Sequence, residues 1–181
     1  TATNLTTTPI TAHPTPICST GAARTISTTT LGGVEIVYYA LGGGLGHLVR
    51  AVSVCRAISE LAGIHPVVLS APGFSGLVKR EVRHIEVVEA PADPGEYRKA
   101  ILERLERLSP ALLAVDALPM GLMGELRDFL PRFDGGKVLV ARILREDYRR
   151  KMRLEEFVRD NYDLVIKAER MPPEHFAHAH C

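Results

Sequence analysis

Short apolar runs alternate along the chain with segments in which apolar residues recur every three or four positions. The runs predict six strands, at 34–39, 65–71, 84–90, 111–115, 136–142 and 163–168. The helical spacing predicts helices at 48–62, around 74–80, and at 93–108, 121–130 and 146–160. Because strands this apolar are buried on both faces, the alternation predicts a Rossmann-like α/β fold, a parallel sheet with helices on both faces.

The helix at 93–108 carries a clear start signal. Asp93 is a good N-cap residue, Pro94 suits the first turn, and Glu96 follows three residues after the cap. We therefore expect this helix to begin at a closed, side-chain-capped end.

Residues 1–32 follow neither pattern. Threonine occupies twelve of the first 30 positions, and the first acidic residue is Glu35. A segment with so little apolar surface does not offset the entropy of ordering. We predict a disordered leader at 1–32, one Rossmann-like domain at 33–170, and a tail or truncation point at 171–181. The tail histidines lack a carboxylate or cysteine scaffold, so no metal site is predicted there.

Composition limits the partners. The chain has 181 residues, of which 46% are hydrophobic, and its 22 basic and 21 acidic residues leave a net charge of +1. This balance predicts no nucleic-acid partner. No apolar run approaches the roughly 18 residues of a membrane span. Three scattered cysteines favour a reducing, cytoplasmic setting.

The most unusual stretch is LGGGLGHLVRA at 41–51, which follows the first predicted strand. Glycine lets a backbone turn sharply and approach another group closely, since there is no Cβ to clash. The N–H groups that open a helix favour an anion. We therefore expect Gly43, Gly44, Leu45 and Gly46 to cradle an anionic or diphosphate group, with the His47 imidazole beside it.

Two common phosphate-binding motifs do not fit this turn. In G-x-G-x-x-G counted from Gly42, His47 occupies the third glycine position, and counted from Gly44, Val49 does. The second strand ends without the carboxylate that would hold a ribose. A P-loop needs Lys and Ser or Thr after its last glycine, where this chain has His47 and Leu48. We predict no cofactor.

Three candidate side chains follow predicted strands and should meet at one edge of the sheet, where ligands gather in open parallel sheets. His47 would take a proton from an attacking hydroxyl, Asp116 would orient and stabilise the imidazolium, and Arg142 would bind an anion. Structural alternatives remain open. Asp116 would then cap the following helix, His47 would cap its own turn, and Arg142 would pair with Glu146 or Asp147.

The segment GGGLGHLVRAVSVCRAI resembles the opening loop and first helix of GT-B glycosyltransferases. DALPMGLMGEL at 116–126 is similar to a D-x-x-P-x-G-x-x-x-E-L segment of bacterial predicted glycosyltransferases related to the MurG-like group. VLVARILREDY and NYDLVIKA follow in the order that family shows. The resemblance covers about residues 34–168.

The resemblance implies two Rossmann-like domains that face each other across a cleft. The N-terminal domain binds the sugar acceptor and the C-terminal domain binds most of the nucleotide-sugar. It also implies that His47 is the base and Asp116 its partner. The family's G-L-R-D stretch reads A-R-I-L-R-E-D here, so either Arg142 or Arg145 faces the cleft.

We expect the donor-side domain to be missing from this chain. The chain would then be an acceptor-binding, hexosyltransferase-like fragment that meets a nucleotide-sugar only with a second domain or a partner subunit. The alternative is a stand-alone binding module, or a degenerate fragment acting through a partner subunit.

Overall fold

The computed structural model describes residues 36–42, 44–71, 85–87, 93–172 and 175–176. These residues form one six-stranded sheet with the order β3-β2-β1-β4-β5-β6, and every neighbouring pair of strands is parallel. The strands are β1 (Ile36–Ala40), β2 (Val67–Ser70), β3 (Ile85–Val87), β4 (Leu112–Asp116), β5 (Gly136–Ala141) and β6 (Leu164–Lys167). The order reverses between β1 and β4, as in doubly wound Rossmann-like folds, so the predicted parallel sheet is confirmed.

Helices cover both faces of this sheet, as predicted. They are α1 (Leu45–Ala62), α2 (Pro94–Leu108), α3 (Leu126–Phe129) with a 3₁₀ turn at Leu130–Arg132, α4 (Glu146–Lys151) and α5 (Leu154–Asn161). Side chains alternate between faces along a strand, and in β1 Tyr38 packs in the core beneath α1 while Tyr39 packs in the opposite core. The opposite core is completed by α2, α3 and α5.

The helix expected at 121–130 is wrong in its first half. Residues 117–125 form an irregular loop, and α3 itself has only four residues. Ala117, Gly121 and Gly124 adopt positive φ angles of 62°, 84° and 79°, which a right-handed helix cannot contain. The Glu125 carboxylate accepts the Leu122 and Met123 N–H groups, so a side chain replaces the helical bonding that these groups would otherwise have made.

The helix expected at 146–160 is two helices. Arg153 lies in the left-handed region with φ 51° and separates α4 from α5. α4 buries no residue, whereas α5 buries Leu154 and Val158 in the core. The break therefore joins a surface helix to one that packs on the sheet. The helix expected around 74–80 and the leader expected at 1–32 lie outside the described residues.

Because all six strands are parallel, their C-terminal ends lie along one side of the sheet, here called the carboxyl edge. The loop that opens α1 follows β1 at this edge, Asp116 is the last residue of β4, and Arg142 follows β5. Among the described residues, no helix combines the length and apolarity that crossing a membrane requires.

Candidate functional site

Helix α1 begins without a capping side chain. Its N-cap is Gly44 in extended conformation, and no acidic residue occupies its first turn. A Cβ added at Gly44 or Gly46 would meet no atom within 4 Å, so the space beside this turn is open. Gly44, Leu45 and Gly46, predicted to bind an anion, lie at this open end, and Gly43 lies outside the described residues. Anion binding here stays a prediction.

The glycine at 42 makes room for the ring of His47. A Cβ at Gly42 would lie 2.5 Å from Nε2 and 2.8 Å from Cγ of that ring, closer than real atoms approach. Gly42 is buried, and its φ is not in the positive range, so the requirement for glycine is steric. The sequence predicts that some group lies close to the backbone of this turn. At Gly42 that group is the His47 imidazole of the chain itself.

The His47 ring contacts Asp116. Nδ1 of His47 lies 2.6 Å from Oδ2 of Asp116, and the side chains are 21% and 0% exposed. The predicted meeting of these two residues at one edge is confirmed. An ionised carboxylate only accepts hydrogen bonds, so Nδ1 carries a proton, and when the ring is neutral Nε2 is the acceptor. The Asp116 side chain bonds across the fold and does not act as a helix cap.

Arg50 completes what we call the His47–Asp116–Arg50 cluster. Its Nε donates to Oδ1 of Asp116 at 2.5 Å, and a terminal guanidinium nitrogen donates to Oδ2 at 2.9 Å. Arg50 is three residues after His47, so one turn of α1 presents both side chains to the same carboxylate. Sequence reasoning missed Arg50, although this i, i+3 spacing beside a strand-terminal carboxylate was a usable signal.

The environment of Asp116 keeps it ionised. Burial alone pushes the pKa of Asp116 upward, but hydrogen bonds from His47 and Arg50 and their charges outweigh it and bring the pKa below its usual range. The hydrogen bond to Asp116 likewise raises the pKa of Arg50. Tyr38, whose hydroxyl is 3.5 Å from Oδ1, has its pKa raised chiefly by burial and then by the Asp116 charge, so it stays neutral.

Arg142 reaches the carboxyl edge but is engaged elsewhere. It donates through Nε and a terminal nitrogen to Glu169 at 3.3 and 3.1 Å, and the Ile143 N–H also donates to Glu169 at 2.7 Å. The suggested pairing of Arg142 with Glu146 or Asp147 is wrong, because the partner is Glu169. Hydrogen bonding from Arg142 is the main cause of the lowered pKa of Glu169, and the nearby Arg50 charge contributes. Arg145 pairs with Asp147 at 2.7 Å.

The loop that follows Asp116 is held by Glu125, which sequence reasoning also missed. Its carboxylate is fully buried and accepts from the Tyr39 hydroxyl as well as from the two loop N–H groups described above. A Cβ at Gly121 would lie 2.8 Å from one carboxylate oxygen, so the glycine lets the loop close around Glu125.

The described residues hold no group of three or more His, Cys, Asp and Glu side chains placed for a metal ion. Of the three tail histidines, His175 is described. It is buried, and its Nε2 lies 2.7 Å from an Arg149 guanidinium nitrogen.

Fold and site together define a class, a doubly wound α/β domain with a His–Asp–Arg cluster at the carboxyl edge of its sheet. No protein-family model and no curated protein sequence matches the chain. One similar solved structure is a ugt transferase from Siraitia grosvenorii in complex with UDP, with 16% identity and a TM-score of 0.46, and 68% of this chain and 31% of that chain are covered. A second is TcCGT1 in complex with UDP, with 18% identity, a TM-score of 0.46 and coverage of 69% and 31%. The chain thus spans about a third of the length of each.

Proposed function

We propose that this chain is the acceptor-binding domain of a glycosyltransferase, which moves a sugar from a nucleotide-sugar to a hydroxyl. The observation that carries the proposal is the 2.6 Å contact between Nδ1 of His47 and the buried Asp116 carboxylate. It leaves Nε2 as a proton acceptor on a side chain that is still partly exposed at the carboxyl edge. The resemblance of residues 34–168 to GT-B enzymes supports the same reading.

In the proposed reaction, Nε2 of His47 removes the proton of the acceptor hydroxyl. The oxygen then forms a bond to the sugar carbon that carries the nucleotide, and the bond from that carbon to the departing phosphate breaks. The Asp116 carboxylate stabilises the imidazolium that results. The proton leaves His47 to solvent before the next turnover.

The open start of α1 would hold an anionic group on the acceptor. Unpaired N–H groups and the positive end of the helix dipole favour such a group, and the space beside Gly44 and Gly46 admits it. Arg142 is the second candidate for this role, because Glu169 already places it near Arg50. Arg145, 84% exposed and paired with its neighbour Asp147, is the weaker candidate.

The nucleotide-sugar would be held by a second domain or by a partner subunit. Holding two reactants in line is worth roughly 7–11 kcal/mol of a reaction barrier, so the chain alone should transfer no useful amount of sugar. The cytoplasm is the proposed compartment, because Cys55, the cysteine that the structure describes, is a free thiol and suits a reducing environment.

The test is a sugar-transfer assay on the isolated chain and on the chain combined with a donor-binding domain, in trans or fused. We expect transfer only in the combination, and we expect His47→Ala to lower it by about a hundredfold to ten-thousandfold. Robust transfer by the isolated chain would show that no second domain is needed. Full activity of the combined His47→Ala variant would remove His47 from the reaction.

A second candidate is a module that acts through a partner without transferring sugar. Exposed apolar side chains near the carboxyl edge favour it, since Leu45, Val49 and Ile143 are 42%, 50% and 52% exposed. Stable binding to a donor domain without transfer, under conditions in which the chain also binds an acceptor, would support this candidate.

A further inference from the structure

Among the described side chains, Arg50 makes the most hydrogen bonds to Asp116, yet the proposed reaction assigns it no task. Its fork engages both carboxylate oxygens, and it shares Oδ2 with Nδ1 of His47. The Arg50 side chain is 20% exposed, whereas the Asp116 carboxylate that it binds is fully buried.

A buried carboxyl group is either ionised or neutral, and the two states favour opposite tautomers of the neighbouring neutral imidazole. When ionised it accepts from Nδ1–H and leaves Nε2 bare. When neutral it donates its own proton to Nδ1, so that Nε2 carries the ring proton and cannot accept another. Burial without a cation favours the neutral form. The charge beside Asp116 therefore decides which nitrogen of His47 is free.

We infer that Arg50 is a positioning residue that selects the His47 tautomer with a bare Nε2 by fixing the Asp116 carboxylate. The fork holds the carboxylate plane while its positive charge compensates the buried negative one. The bare Nε2 is the proton acceptor that the proposed function needs. The role of Arg50 rests on the proposed function only in that sugar transfer is the reaction in which Nε2 is used.

The other groups around Asp116 do not replace Arg50. The Tyr38 hydroxyl is at the 3.5 Å limit of hydrogen bonding and carries no charge. Glu169 affects Arg50 through its negative charge and is paired with Arg142, so it supplies no positive charge to Asp116. The described cations beside Asp116 are His47 and Arg50. His47 is positive only when its ring is doubly protonated, whereas the Arg50 guanidinium is always positive.

The test is long-range proton–nitrogen NMR of the His47 ring on the full chain labelled with ¹⁵N, near neutral pH. Wild-type protein should show a protonated Nδ1 and a bare Nε2. Arg50→Gln should shift the ring to a population dominated by protonated Nε2. Arg50→Lys keeps the charge without the fork, so it should restore part of the wild-type signal. Arg56→Lys, at the exposed Glu60 pair on the same helix, is the matched control and should change nothing.

A neutral His47 ring in the wild-type protein with its proton on Nε2 would overturn the inference. This part of the test does not depend on whether the variants fold. A wild-type tautomer that persists in a folded Arg50→Gln protein would overturn it as well. The readout needs no sugar transfer. A failed transfer assay with the expected tautomers would discard the proposed function and keep the role of Arg50.

Discussion

Helices α1 and α2 each follow a strand of the same parallel sheet, but they begin in opposite ways. α2 is closed by its own residues, because Asp93 accepts the Glu96 N–H at 2.9 Å and Glu96 adds a negative charge to the first turn. α1 begins at Gly44 with no capping side chain and no acid. Both sequences form a helix, but a stabilising side-chain cap is present at the start of α2 and absent at the start of α1.

The open start is the one beside the buried charges. His47 lies in the first turn of α1, Arg50 one turn further, and both bond to Asp116. A capping carboxylate on α1 would have occupied the N–H groups that we propose for an acceptor anion and added negative charge beside His47. The contrast teaches that the start of α1 gives up local stability at the place where we propose that an anion binds, whereas the start of α2 is stabilised by its own side chain.

The largest stability effect should come from removing the charge of Asp116. Asp116→Asn leaves the Arg50 guanidinium without its carboxylate in a largely buried place, and breaking such a pair costs about 3–5 kcal/mol. Urea unfolding of wild-type and variant protein measures the difference. Asp147→Asn, in an exposed pair with Arg145, is the control and should cost less than about 1 kcal/mol. Equal costs for the two variants would contradict the account.

The pairing of Asp116 with Arg50 also predicts how the stability of the protein depends on pH. The pKa of Asp116 is lower in the folded protein than in the unfolded chain, so its contribution is complete above the unfolded value, about 3.9. That contribution is lost as the pH falls from there through the lower folded value. The stability gap between wild-type protein and Asp116→Asn should therefore narrow below about pH 4. A gap that widens on acidification would mean that the folded carboxyl has a raised pKa.

Opening the capped helix should cost less. Asp93→Ala removes the bond to the Glu96 N–H, and loss of such a cap costs about 1 kcal/mol. The free energy of unfolding measures this cost, and the NMR signals of the His47 ring should stay unchanged. A variant that disturbed His47 as well would show that the two helix starts are not independent.

Closing the open helix should have the smallest effect on stability and a larger effect on binding. Gly44→Asp meets no neighbouring atom and adds a cap, for a gain of a few tenths of a kcal/mol. Its carboxylate would accept hydrogen bonds from N–H groups in the first turn of α1 and repel an anionic acceptor. Denaturation and calorimetric titration with an acceptor carrying a phosphate measure the two changes. An unchanged affinity of Gly44→Asp for this acceptor would show that its phosphate does not bind at the start of α1.

The sequence predicts well what depends on strand order and local signals. Parallel apolar strands bring the residues that follow them to one edge, which is why the contact between His47 and Asp116 was foreseeable. Asp93 was foreseeable as a cap because its partner is three residues away.

What the sequence missed depends on packing across the fold. The hydrogen bonds of Arg50 depend on how α1 is rotated on the sheet, and Arg142 pairs with a residue 27 positions away. The first half of the helix expected at 121–130 is a loop, and the buried Glu125 carboxylate at its end contacts Tyr39. No local sequence pattern predicts that contact.

The decisive measurement of whether His47 is the base is the rate of sugar transfer by the chain combined with a donor domain. The rate of His47→Ala is compared with that of His65→Ala. His65 is exposed and precedes β2, at the opposite edge of the sheet, so it serves as a matched histidine control. We expect His47→Ala to lower kcat/KM by about a hundredfold or more and His65→Ala to leave it unchanged. Equal rates for the two variants would contradict the claim that the His47–Asp116–Arg50 cluster supplies the base.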